Sequence, residues 1–116
     1  MLEATSSARI AMTTVASPEE AARLGRTLVE ERLVACATLI PAVQSIYRWQ
    51  GKIESSAETL LLLKTAIEQL PALESRLQEL HSYQTPEFLV LRIEAGSHSY
   101  LKWLCASLDA PQSTKA

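Results

Sequence analysis

The sequence predicts an α+β sandwich: a four-stranded antiparallel sheet with two helices on one face and one more helix at the C-terminus. Three observations carry this. Apolar, β-branched runs alternate with helix-period segments in the order β-α-β-β-α-β-α. One stretch, Ala35 to Thr65, reads as two extended arms folded back at Trp49-Gln50-Gly51-Lys52, where the glycine supplies the positive φ of a hairpin tip. The 116 residues are near the commonest domain size, so a single domain is expected.

Taken in order, residues 1–8 are short and polar and are expected to be a disordered arm, with the folded domain spanning 9–110 and a frayed tail over 111–116. Arg9 to Val15 is apolar and β-branched, a first strand. Ser17-Pro18-Glu19-Glu20 then combines an N-cap serine, a proline at the first helical position and a glutamate at the third. The helix it opens is expected to reach about Leu33, with Ala21, Leu24, Gly25, Leu28, Val29 and Arg32 along one stripe. Gly25 costs that helix about 1 kcal/mol against alanine, which is tolerable if the helix lies close against a sheet.

The hairpin follows. Its arms of about 14 residues would each reach roughly 45 Å, far beyond an ordinary strand of about 17–20 Å. A domain this small cannot cover both arms, so the tip must project, and Tyr47 and Trp49 need a partner subunit to pack on. Pro41 lacks a ladder donor, so a bulge is expected at Pro41-Ala42. Thr65-Ala66-Ile67-Glu68 has capping-box form and opens a helix with Leu70, Leu73, Leu77 and Leu80 on one face, its start made irregular by Pro71. Phe88 to Ile93 is the fourth strand, and Gly96-Ser97 leads into a last helix carrying Tyr100, Leu101, Trp103, Leu104 and Leu108. The first six elements match the split β-α-β, ferredoxin-like pattern, which leaves the second sheet face for the last helix, for neighbouring subunits, or for both.

Composition narrows the function. Hydrophobic residues at 47% and charged residues at 21% form an ordinary globular mix. A net charge of −2, with no run of like charges longer than two, offers no footprint for nucleic acid or an anionic membrane. Cys36 and Cys105 are too few for a disulfide framework and lack metal-motif spacing. With no signal-peptide pattern and no apolar run near 18 residues, a cytoplasmic protein is expected. No phosphate loop, His-Glu-x-x-His or nucleophile elbow is present, and an enzyme is not expected.

Five pieces of the chain resemble one family. They are Leu28-Val29-Glu30-Glu31-Arg32-Leu33-Val34-Ala35-Cys36-Ala37; Tyr47-x-Trp49-x-Gly51-Lys52-Ile53-Glu54; Leu63-Lys64-Thr65; His81-x-Tyr83-x-x-Pro86-Glu87; and Tyr100-Leu101-x-Trp103. In this order and spacing they are similar to the divalent-cation-tolerance (CutA) family, over roughly residues 9–108. The resemblance implies a ferredoxin-like homotrimer whose long hairpins pair between subunits, and an association with Cu(II) or other divalent cations that is not required for folding. His81-Ser82-Tyr83-Gln84-Thr85-Pro86-Glu87 stands where the family usually has His-Pro-Tyr-Glu-x-Pro-Glu, and Met12-Thr13-Thr14 stands where some members carry a cysteine. Both departures remove potential ligands, so weak binding is expected.

Within that frame His81 and Cys36 are the candidate metal ligands, imidazole and thiolate both suiting copper. The competing readings are a helix-capping histidine, favoured by the helix dipole when protonated, and a small buried core thiol. Lys64, Tyr83 and Glu87 form a second constellation, either an interface ion pair or a cleft for an anion or small metabolite between subunits. Tyr47, Trp49 and Trp103 are expected at the trimer interface, in keeping with the aromatic enrichment of interface cores.

Overall fold

The computed structural model describes residues 1–5 and 7–109. Strand β1 is Leu2–Ala4 and β2 is Ala8–Val15; helix α1, Pro18–Glu30, leads to β3, Cys36–Trp49, and β4, Lys52–Ala66. A short 3-10 turn, Ile67–Gln69, precedes α2, Leu70–Leu80; β5 (Leu89–Arg92), β6 (Ala95–Ser97) and α3 (His98–Leu108) complete the order. The main sheet runs β3-β4-β2-β5, antiparallel throughout, which is the predicted ferredoxin-like arrangement.

Period two divides the sheet into two unlike faces. Ala11, Thr13 and Val15 of β2 and Thr59, Leu61, Leu63 and Thr65 of β4 point toward the helices and are buried. Leu24 and Leu28 of α1 and Leu73 and Leu77 of α2 close this core. Gly25 is what lets α1 approach: a Cβ there would stand 3.0 Å from the Ala37 Cβ. On the opposite face α3 covers only one end, where Leu104 and Leu108 meet Ala35 and Ala66. Beyond it Ile40, Leu89 and Leu91 remain 40%, 56% and 46% exposed.

The hairpin is built as its residues require. Gln50 (φ 50°) and Gly51 (φ 81°), both in the left-handed region, make a two-residue turn whose twist matches the right-handed twist of the flanking antiparallel strands. The register slips between Ile40 and Val43, with Ala42 at φ 62°, so Pro41 sits at the expected bulge.

Four details correct the sequence reading. Residues 2–4 are not a disordered arm; they pair with Ala95–Ser97, and Thr5 donates its N–H to the Glu94 carbonyl at 3.1 Å. No apolar periodicity marks so short a strand, whose side chains are all exposed. Helix α1 ends at Glu30, not near Leu33, because Arg32 turns left-handed (φ 59°) and the Arg32 and Leu33 amides bond back to Val29 and Leu28. Thr65 does not cap α2: it is buried and donates its hydroxyl to the Leu33 carbonyl at 2.7 Å, leaving the 3-10 turn without a side-chain cap. The fourth strand spans 89–92, shorter than the predicted 88–93. The expected tail over 111–116 lies outside the described residues.

Candidate functional site

The densest polar cluster beside the bare face forms where the loop after α2 crosses the end of β2. β5 pairs with β2 only as far as Met12, so the Thr14 carbonyl is left free at the sheet edge. His81, the C-cap of α2, fills that vacancy with Nε2 at 2.8 Å from the Thr14 oxygen. Its other nitrogen, Nδ1, accepts the Tyr83 backbone N–H at 3.0 Å. A carbonyl only accepts and an amide N–H only donates, so the ring is fixed as the neutral Nε2–H tautomer.

Glu20 approaches from α1. Its amide donates to the Ser17 hydroxyl at 3.1 Å, as expected of the helix start. Its carboxylate does not turn back to the cap; it accepts the Ser82 N–H at 3.1 Å and the Ser82 hydroxyl at 3.0 Å. Tyr83 lies against the His81 ring, centroids 4.7 Å apart, and donates its phenol to Glu58 at 2.7 Å. Burial, followed by the Glu58 carboxylate, raises the Tyr83 phenol well above its ordinary range, so it remains a donor. Glu58 is itself buried, on the same side of β4 as Leu60, Leu62 and Lys64, at the root of the hairpin.

The predicted site residues fall into separate places. Cys36 is half-buried, with Lys64 Nζ at 3.8 Å and the Thr38 hydroxyl at 3.7 Å from its sulfur. It pairs with Lys64, whereas Thr14, which holds His81, pairs with Leu60. Four residues of β4 therefore separate the two candidate ligands, about 13 Å along the sheet. Both ring nitrogens of His81 are already engaged, and no group of three or more His, Cys, Asp or Glu side chains converges among the described residues. The residues present do not fit a tight metal chelate within one chain.

Tyr83 is similarly far from Lys64: it bonds Glu58, six residues along β4, about 20 Å away. Glu87 is exposed and belongs to neither cluster. Tyr47 bonds the Ser56 hydroxyl at 2.8 Å, and Trp49 stands 56% exposed near the tip. Trp103 lies on α3 against Tyr100, ring centroids 5.4 Å apart. Sequence reasoning missed Glu20 and Glu58. Glu58 had a signal, as the one acid in the alternating series that continues through Leu60, Leu62 and Lys64; Glu20 had none beyond its capping position.

Comparison with known proteins agrees with this architecture. The model of the CutA1 divalent ion tolerance protein family matches residues 9–107. The divalent-cation tolerance protein CutA of Thermus thermophilus is 44% identical over 95 residues, covering 82% of this chain and 92% of that protein. The structure of CutA from Synechococcus elongatus superposes with a TM-score of 0.91 at 43% identity, covering 94% of this chain and 96% of the other. That of the periplasmic divalent cation tolerance protein CutA from Archaeoglobus fulgidus gives 0.85 at 31% identity, covering 88% and 99%. With the β3–β4 hairpin and the four-stranded sheet in common, the chain belongs to the CutA1 divalent ion tolerance family.

Proposed function

We propose that the chain acts in divalent-cation tolerance as a homotrimer that binds copper or another divalent ion weakly, by contact rather than by catalysis. The observation that carries this is family membership over residues 9–107, nearly the whole chain. Assembly is supported by the hairpin, whose Ile46, Trp49 and Ile53 are 69%, 56% and 63% exposed, and by the bare sheet face behind it. Weak binding is supported by the ligand geometry: Cys36 offers one soft sulfur beside a lysine, and His81 is committed to its loop. Two unpaired thiols suit the reducing cytoplasm, where we place the protein.

Native mass spectrometry tests both halves, on metal-free protein and after one equivalent of Cu(II) per chain. A trimer that retains copper, and loses it in Cys36→Ser, supports the reading and places the contact. A trimer that takes up no copper overturns the metal half, and a monomer overturns the assembly.

A second reading is a ligand-sensing module that holds a small metabolite between subunits. It is supported by the bond from half-buried Tyr83 to buried Glu58 beside the bare face. The carboxylates of Glu20 and Glu58 favour an amine or polyol there, while an anion would suit Lys64 at the opposite end. A thermal-shift screen of metabolites in chelator separates this reading from the first.

A further inference from the structure

We propose, resting on the homotrimer reading above, that Glu58 is completed by a second copy of the chain. The hairpin tip of one subunit seats on the hairpin root of the next and brings Arg48 or Lys52 to its carboxylate. Glu58 is only 8% exposed, and its Oε2 accepts the Tyr83 phenol at 2.7 Å. A buried carboxylate is costly to hold away from water without a cation, and a phenol supplies no charge. Among the described residues no ion pair includes Glu58. Lys64, on the same side of β4, is six residues or about 20 Å away, with its Nζ 3.3 Å from the Thr38 hydroxyl.

The tip has the opposite shortage. Between Ile46 and Ile53 the hairpin carries two cations, Arg48 and Lys52, and no acid. Both are exposed, and neither enters an ion pair among the described residues. They stand among Ile46, Trp49 and Ile53, the exposed apolar side chains that an assembly must cover. In the register of β3 on β4, Lys52 lies opposite Trp49 and Arg48 opposite Ile53. The two cations therefore occupy opposite sides of the hairpin, and whichever side is laid down carries one with it.

A surface that covers the tip must then offer both apolar area and negative charge. The bare sheet face offers the first through Ile40, which pairs with Leu60 and is 40% exposed. Glu58, two residues beyond Leu60 on the same side of β4, offers the second. Contacts of tip on root run head to tail, so they close into a ring in which each subunit gives one tip and receives one.

The test is a double-mutant cycle on the metal-free full chain, with dissociation on dilution read by light scattering. Glu58→Gln keeps an amide oxygen for the Tyr83 phenol while removing the charge, and Arg48→Gln/Lys52→Gln changes only exposed side chains at the tip. Each should raise the dissociation constant roughly tenfold or more. Combined, they should weaken the assembly no further than the worse of the two, because they remove the same contact. A trimer in which either variant dissociates as the parent does, or in which the two penalties multiply, overturns the pairing and leaves the assembly standing. A parent that is monomeric at every concentration overturns the pairing together with the trimer on which it rests.

Discussion

A methyl group at position 25 would stand 3.0 Å from the Ala37 Cβ and 3.7 Å from methyl carbons of Leu39 and Leu61. The Ala37 carbon is fixed to strand β3 and cannot rotate aside. Gly25→Ala therefore sets two effects against each other. The helix gains about 1 kcal/mol of propensity, while forcing a methyl into a filled contact costs about 1–3 kcal/mol. The contact wins: the urea midpoint should fall, with a net loss of about 1 kcal/mol and an unchanged denaturant slope. A gain in stability would show that α1 can lift off the sheet. The sequence made this glycine legible, since a helix with glycine inside its apolar stripe points to close packing. It did not make Glu20 legible, because a glutamate three residues after an N-cap serine looks the same whether its carboxylate turns back to the cap or crosses to Ser82.

Between elements, the clearest polar clip joins the C-terminus of α1 to α2. Arg76 meets Glu31 with two parallel bonds, Nε to Oε1 at 2.9 Å and Nη2 to Oε2 at 2.8 Å. That fork lowers the Glu31 carboxyl below its ordinary range and raises the Arg76 guanidinium above its own. A carboxylate depressed in the folded state stabilises above its unfolded pKa and loses that contribution as pH falls through the folded value. Arg76→Ala should therefore lower the melting temperature at neutral pH and low salt. The gap to the parent should narrow in acid, below the usual carboxylate range of about 4, and narrow again in high salt. A gap independent of pH and salt would assign Arg76 a packing role instead. At this scale the element order, the bulge at Pro41 and the hairpin turn were legible, because each rests on a local rule of period, donor or φ. The β1–β6 ribbon, the left-handed exit of α1 at Arg32 and the diversion of Thr65 to Leu33 were not. Each is decided by a partner tens of residues away or by a carbonyl that only the folded chain presents. The separation of Cys36 from His81 belongs to the same class, since strand register and not sequence spacing sets it.

The molecule as a whole is longer than its size requires. Its extents are 58 × 34 × 23 Å and its radius of gyration is 15.7 Å, where about 13 Å is expected for a compact chain of this length. The excess is the hairpin, whose tip carries Ile46, Trp49 and Ile53 into solvent while Leu89 and Leu91 lie open on the sheet face. Apolar surface on this scale marks an interaction site, and an uncovered sheet edge invites uncontrolled pairing. Both features are accounted for if copies of the chain lay their hairpins on one another, with Trp49 among the anchors. Truncating a buried tryptophan at such an interface costs about 2 kcal/mol or more, some 30-fold in affinity at each contact. Trp49→Ala should therefore shift the oligomer toward monomer on dilution, read by light scattering across a concentration series. Within the monomer it should change little, because the turn at Gln50-Gly51 and the ladder of β3 on β4 do not depend on the indole. Circular dichroism of the diluted variant should thus keep the parent's sheet signal while its scattering mass falls. An oligomer of equal mass and equal resistance to dilution would show that the tip is not the anchor, and would move the interface to the open face around Leu89 and Leu91.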